Sequence, residues 1–440
     1  MIKRVLVISG DVLPLPGYPT SGAGLRAWGL GQGLRARGFE VTFAMPAVAW
    51  RSEVPPSLEH KPLLWDQYTL EDKIHAAQPE AVIFCHWPSV QIRNRLDVPT
   101  VIDFHGPHVL ERAFQKLGEP VASALLKIEA LRKADYFICA GEKQKSYFLA
   151  WLLVSGIDVT RVCIDVVPVC LSPDLPSPTP SADEITFVYG GVYLPWQDPT
   201  LGLVAVADVL TKRNTGALRL FGGKHPVIPI EVPPIFQVLE RRLHDHLRVH
   251  FEGIRPHDEL IETYLHSTAA VDLMQHNYER ELAFTTRTVE YMWCGLPVIY
   301  NDYAELAPLI QEYEAGWVLD PTDRAGVEQV IHDILDHPEL AHERGRNAQR
   351  LVRERLTWDR AVEPLATFLQ APQIRATKGT DLPSFVASEV GEKDFWGRWS
   401  SVKKVGPRLL LQAALDHLRH GGIRHLIRET IGFVKRRVRG

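Results

Sequence analysis

Short apolar runs that do not alternate with polar residues recur along the chain, and stretches of helical periodicity separate them. In the first half the runs occupy residues 4–9, 41–45, 81–85, 100–104, 136–140 and 162–169. In the second half they occupy residues 185–189, 218–221, 249–252, 270–273, 297–300 and 316–319. A strand that is apolar throughout is buried on both faces, as in a parallel sheet covered by helices. Alternation of strand and helix implies right-handed crossover units. Between the halves, residues 171–184 hold four prolines and several serines, a density that no regular element survives. The pattern predicts an α/β chain of two doubly wound, Rossmann-like domains in tandem, residues 1–170 and 185–356, joined by that linker. A length of 440 residues suits this division, at roughly 150 residues per domain.

Several classes are excluded early. The N-terminal apolar run is too short for a signal peptide and no small-residue cleavage site follows it, so it reads as a first strand. No apolar stretch reaches the roughly 20 residues needed to span a bilayer. The five cysteines (Cys85, Cys139, Cys163, Cys170 and Cys294) are odd in number and show no C-x-x-C spacing. They predict buried, reduced thiols in a cytoplasmic protein, and no disulfide framework or zinc site. A net charge of −4 does not suit a nucleic-acid partner.

Beyond residues 357–370, residues 371–402 form a polar, proline-interrupted connector. Residues 403–440 carry ten Lys/Arg against Asp416 and Glu429, with two apolar helical faces broken at Gly421–Gly422. That pattern fits an amphipathic helix lying on an anionic membrane surface, which would make the protein peripheral on the cytoplasmic side. It equally fits a helix packed on the protein or a solvated tail.

Two motifs carry chemistry. Pro19-Thr20-Ser21-Gly22-Ala23-Gly24 follows the first strand and opens a helix with Ser21 as N-cap. Glycines at a helix start let a phosphate approach free backbone N–H groups at the positive end of the helix dipole. The alternative is a packing glycine at a tight turn. A nicotinamide site is excluded, because strand two runs out into Met45-Pro46-Ala47-Val48-Ala49 with no carboxylate for a ribose. In the second motif, residues 286–300 (TRTVEYMWCGLPVIY), Arg287 and Glu290 share a helix face that Gly295 ends. Thr286 and Arg287 at that helix start would meet a diphosphate, and Glu290 would accept from ribose hydroxyls. The alternative is a surface ion pair. No D-x-D, Walker A or H-E-x-x-H motif is present.

Residues 286–300 resemble the K/R-x-x-E-Y-M-x-x-G-L-P-V-I segment of the family 4 retaining glycosyltransferases. Residues 21–24 resemble their glycine loop, residues 249–272 the segment before the donor site, and residues 311–323 the helix and strand after it. Residues 357–368 resemble the last helix, which in that family crosses back to the N-terminal domain. The resemblance covers most of residues 1–370 and implies the GT-B fold, two Rossmann-like domains facing a cleft.

The resemblance implies transfer of a sugar from a nucleoside-diphosphate sugar to a glycan, lipid-linked or small-molecule acceptor. Transfer would retain the anomeric configuration and need neither metal nor resident cofactor. Gly22 and Gly24 would approach the diphosphate, Arg287 a phosphate or the sugar, and Glu290 the ribose. His105, in Asp103-Phe104-His105-Gly106, would face the donor sugar, unless it is a turn residue. The family pairs glutamates eight positions apart, but Leu282 stands eight before Glu290, so Glu279 or Glu281 is expected to supply that carboxylate. The family's cations after the first strand of the second domain are replaced by Gly190 and Gly191, leading to Trp196. Lys224 would then help meet phosphate charge, and Trp196 would stack on a base or sugar. Acceptor choice would rest on loops 13–20, 109–118 and 277–286. A repurposed nucleotide- or partner-binding protein of this fold, or a sugar-nucleotide epimerase, is the alternative.

Overall fold

The computed structural model describes residues 2–50, 61–92, 95–116, 120–161, 164–179, 184–225, 228 and 230–375. Cys163, the end of the linker and the basic segment 403–440 lie outside the described residues.

Two parallel sheets form the frame. The first holds seven strands: β1 (Arg4–Ser9), β2 (Glu40–Pro46), β3 (Leu63–Trp65), β4 (Ala81–Cys85), β5 (Thr100–Asp103), β6 (Tyr136–Cys139) and β7 (Ile164–Val166), in the order β3-β2-β1-β4-β5-β6-β7. The second holds six: β8 (Thr186–Val192), β9 (Ala217–Gly223), β10 (Val249–Gly253), β11 (Ala269–Asp272), β12 (Val298–Asn301) and β13 (Gly316–Leu319), in the order β10-β9-β8-β11-β12-β13. Each expected apolar run overlaps one of these strands. The residues of β4, β5, β6, β11 and β12 are all buried, as two-sided cover requires. Only β3 was not expected; three residues pairing Ala44–Pro46 at the sheet edge are too short to show a period.

Each sheet reverses its winding once, between β1 and β4 and between β8 and β11. Ligands of open α/β sheets bind outside the carboxyl ends of strands at such a reversal. The loops after β1, β4, β5, β8, β9 and β11 are therefore the places to look.

Local chemistry sets the helices at these loops. Ser21 caps the helix Gly22–Ala36 by accepting from Gly24 N–H, and Ala27, Leu30 and Leu34 turn inward. Arg26 lies on that buried face and clamps Asp103, at the end of β5, through two bonds of 2.7 Å. The helix Thr286–Trp293 stops where Gly295 takes φ +80, with Leu296 N–H bonded to Tyr291 O at 2.9 Å. Asp198 accepts from Thr200 N–H at 3.0 Å, and the helix Thr200–Arg213 starts directly after Pro199.

The helix Glu363–Gln370 belongs to the first domain's core. Leu365, Ala366 and Leu369 pack there with Leu30, Leu34 and Val41, and Phe368 stacks on Tyr136 at 4.1 Å. The chain leaving the first domain pairs with the chain returning to it: Leu171 N–H bonds Leu356 O at 3.0 Å and Trp358 N–H bonds Leu171 O at 2.9 Å. No helix among the described residues is long and apolar enough to cross a membrane.

Candidate active site

Both domains present strand carboxyl ends to one cleft, and three expected site residues meet across it. A Cβ built on Gly22 would stand 3.0 Å from Thr286 Oγ1 and 3.9 Å from His105 Nε2. The two helix N-termini at Gly22 and Thr286 thus approach one another beside an imidazole. Thr285 caps the second helix with no side-chain bond, so its first N–H groups stay open to a ligand.

Arg287 reaches back to the end of β8. It donates to Gly190 O at 3.1 Å and to Gln197 Oε1 at 2.7 Å, and its guanidinium lies over the Tyr189 ring at 5.4 Å. Gly190 and Gly191 make this possible. A Cβ at Gly190 would stand 2.1 Å from Tyr264 Oη, and one at Gly191, which takes φ +143, would stand 2.7 Å from Arg287 Nη1. Asp272, at the end of β11, takes a hydrogen bond from Thr288 through Oδ2. Its Oδ1 is buried without a hydrogen-bond partner, 4.0 Å from Arg287 Nε. Gly190, Gly191 and Arg287 are therefore one unit, in which the glycines seat the cation.

Glu290 lies one turn deeper and accepts from His257 Nε2 at 2.5 Å. Burial pulls His257 down, but the Glu290 carboxylate outweighs it and holds the imidazole above its ordinary range. The His257 backbone N–H also donates to Tyr18 O of the first domain at 2.9 Å. A second bridge joins the domains where His225 Nε2 lies 3.0 Å from Asp11 Oδ2. Ile228 N–H donates to His225 Nδ1, which leaves Nε2 to carry the proton toward Asp11. Asp11 Oδ2 also accepts from Ser21 Oγ at 2.6 Å, tying this bridge to the glycine loop.

The two candidate glutamates separate. Asn277 caps the short helix Tyr278–Leu282 by accepting from Glu279 and Arg280 N–H. Two residues apart on a helix point to different sides. Glu279 turns inward, buried, and is held by Arg280 Nε at 2.6 Å and Nη2 at 2.9 Å. Burial outweighs Arg280 and holds its carboxyl above the usual range, with Glu111 of the first domain adding to the shift. Glu281 turns outward and meets His276 at 3.3 Å.

Burial holds His105 below its ordinary range, and its Nδ1 is buried without a hydrogen-bond partner. Three other expectations need correction. Gly24 does not face the cleft: a Cβ there would stand 1.6 Å from Val12 O, and its N–H is used by Ser21. Its smallness serves backbone packing. Trp196 is only 6% exposed, so its ring is packed inside and not offered to a base. Lys224 is exposed and lies 3.9 Å from Glu231, so its charge is turned toward that carboxylate and not toward the Arg287 unit. Sequence reasoning missed Asp11, His225 and His257. Asp11 did carry one signal, a carboxylate two residues after the first strand at the point where the sheet reverses.

The family model described as Glycosyltransferase Family 4 matches residues 20–166, and the one described as Glycosyl transferase-like matches residues 208–367. No curated protein matches the chain. A solved sucrose-phosphate synthase from Thermosynechococcus elongatus is similar at TM-score 0.63 and 18% identity, covering 84% of this chain and 98% of that one. Anabaena HepE in complex with UDP and glucose is similar at TM-score 0.58 and 15% identity, covering 84% of this chain and 100% of that one. WaaG, a glycosyltransferase involved in lipopolysaccharide biosynthesis, is similar at TM-score 0.54 and 15% identity, covering 83% of this chain and 100% of that one. At such identities the likeness is one of fold.

Proposed function

Because the chain carries a Glycosyltransferase Family 4 domain over residues 20–166 and a Glycosyl transferase-like domain over residues 208–367, we propose the following reaction for its cleft. A sugar passes from a nucleoside-diphosphate sugar to a glycan, lipid-linked or small-molecule acceptor, with retention and with no metal at the diphosphate. The observation that carries this reading is the meeting of Gly22, Thr286 and His105 across the cleft. The UDP named for HepE makes a uridine donor the first to test.

The negative charge developing on the leaving diphosphate is the main thing to stabilise. The open N–H groups at Thr286, the approach past Gly22 and the fixed Arg287 cation supply that without a metal. Glu290 keeps its second oxygen for a ribose hydroxyl while His257 holds the first. His105 faces the sugar as a neutral imidazole and can accept or donate a hydrogen bond at a sugar hydroxyl. Glu279, held by Arg280, takes the part that a glutamate at position 282 would play. Retention fits attack from the leaving-group face, in which a phosphate oxygen takes the acceptor proton. Closing the cleft excludes water and so prevents hydrolysis. The composition of residues 403–440 supports a contact with anionic lipid near a lipid-linked acceptor.

The test uses the purified full chain and a panel of UDP, GDP and dTDP in thermal-shift measurements, followed by the matching nucleotide sugars with candidate acceptors. Stabilisation by one nucleotide and acceptor-dependent release of that diphosphate support the reading. Nucleotide binding without release points to a repurposed binding protein. Conversion of the sugar without release points to an epimerase.

A further inference from the structure

The donor site uses His105 but leaves two neighbouring histidines without a task. His86 follows β4 directly, beside the reversal of the first sheet, and takes φ +95 and ψ 136, a backbone conformation that side-chain-bearing residues rarely adopt. Such outliers persist where the surroundings hold a residue for a purpose. His108 opens the helix His108–Gln115, and Glu111 stands three residues on, over the same face. The rings of His86 and His108 meet edge-on with centroids 5.0 Å apart, and His108 Nδ1 lies 3.3 Å from Glu111 Oε2. One ligating atom from each of the three lies within 4.8 Å of the others. His86 Nδ1 is buried and has no hydrogen-bond partner. A hydrogen-bonded pair accounts for His108 and Glu111, but it leaves His86 unexplained.

We propose that His86, His108 and Glu111 bind a divalent transition ion of the zinc class. Four ligands at about 2.0–2.1 Å in a tetrahedron lie roughly 3.3–3.4 Å apart. The His108–Glu111 separation of 3.3 Å already meets that spacing, and a side-chain shift of at most about 1.5 Å brings His86 to it. Two imidazoles and one carboxylate suit zinc, whereas magnesium and calcium take oxygen ligands. Three protein ligands leave a fourth position open. Glu111 borders the loop that carries His105: a Cβ built on Gly106, the next residue, would stand 2.7 Å from Glu111 Oε1. The open position therefore lies on the first domain's wall, apart from Arg287, where an oxygen of the acceptor can enter. That last assignment rests on the transferase reading; the ion site does not.

The experiment uses the untagged full chain, stripped by a chelator and then titrated with Zn²⁺ by calorimetry and with Co²⁺ by visible spectroscopy. One ion per chain and the intense absorption of tetrahedral Co²⁺ are expected. His86→Ala and Glu111→Gln should each weaken binding by about 100-fold, while His266→Ala, on the second domain, leaves it unchanged. Far-UV circular dichroism of the metal-free variants checks their folding. Absence of stoichiometric binding, equal affinity in folded variants, or an octahedral all-oxygen Co²⁺ spectrum would each overturn the site. None of these readouts depends on transferase activity, so the failure of one reading is separable from the failure of the other.

Discussion

His257 is bonded to both halves of the cleft at once: its Nε2 donates to Glu290 at 2.5 Å, and its backbone N–H donates to Tyr18 O of the opposite domain at 2.9 Å. The carboxylate assigned to the ribose is thus positioned by a residue that also senses where the first domain stands.

That contact has a pH signature. Although burial lowers His257, Glu290 raises it further, so the folded value lies above the ordinary 6.5. A raised histidine contributes stability that is complete below about pH 6.5 and is lost as pH rises through the folded value. Melting curves of wild type and His257→Gln should therefore diverge most at acidic pH and converge above that window. Parallel curves from acid to alkaline pH would count against the coupling.

Arg287→Ala should lower turnover by about 10²–10³-fold, the usual cost of removing one fixed charge-stabilising group. Arg287→Lys keeps the charge but not the fork that spans Gly190 O and Gln197, and should recover only part of the rate. Steady-state release of nucleoside diphosphate measures both.

The two glycines of the N-terminal loop should behave oppositely. Gly24→Ala places a Cβ on Val12 O and should cost about 1–3 kcal/mol in urea unfolding. Gly22→Ala meets side-chain atoms and no backbone, Thr286 Oγ1 at 3.0 Å and Thr286 Cβ at 3.3 Å, and should leave stability close to wild type while raising KM for the donor. Equal stability losses in both would refute the division of roles.

The buried Arg26–Asp103 clamp holds the glycine-loop helix to the strand that leads into His105. Arg26→Met strands a buried carboxylate and should cost about 3–5 kcal/mol. Replacing both partners, with Arg26→Met and Asp103→Leu, should cost less than the single change. Chemical denaturation of these two variants and of Asp103→Leu alone closes that cycle.

Glu279→Gln should reduce turnover by about tenfold or more, in the range of a lost charged hydrogen-bonding group, while Glu281→Gln stays near wild type because its side chain points to solvent with His276. The comparison is kinetic, at saturating and limiting donor.

The frame and the helix Thr286–Trp293 were legible because both are local. Buried strands announce themselves as unbroken apolar runs, and Gly295 marks a helix stop wherever the chain goes afterwards. Arg26 was not legible: a cation inside an otherwise apolar helix face looks like a solvated residue until β5 brings Asp103 opposite it. His257 and His225 escaped for the same reason, since their partners Glu290 and Asp11 come from elements placed only by the fold. The glutamate question turned on Asn277, whose capping of a five-residue helix decides which carboxylate turns inward. Trp196 misled because an aromatic in a glycine-rich loop resembles an exposed platform, and its burial depends on the packing around it.

The paired crossing at Leu171 and residues 356–358 has a consequence for how the halves can part. The polypeptide passes between the domains twice, and the two passages are bonded side by side near one end of the interface. Such a double tether favours a swing, as of a door on its jamb, over a slide or an unthreading. It also makes the link redundant: a protease that nicks residues 172–179 severs one passage, while the returning helix, anchored by Leu365 and Leu369 in the far core, still ties the pieces together.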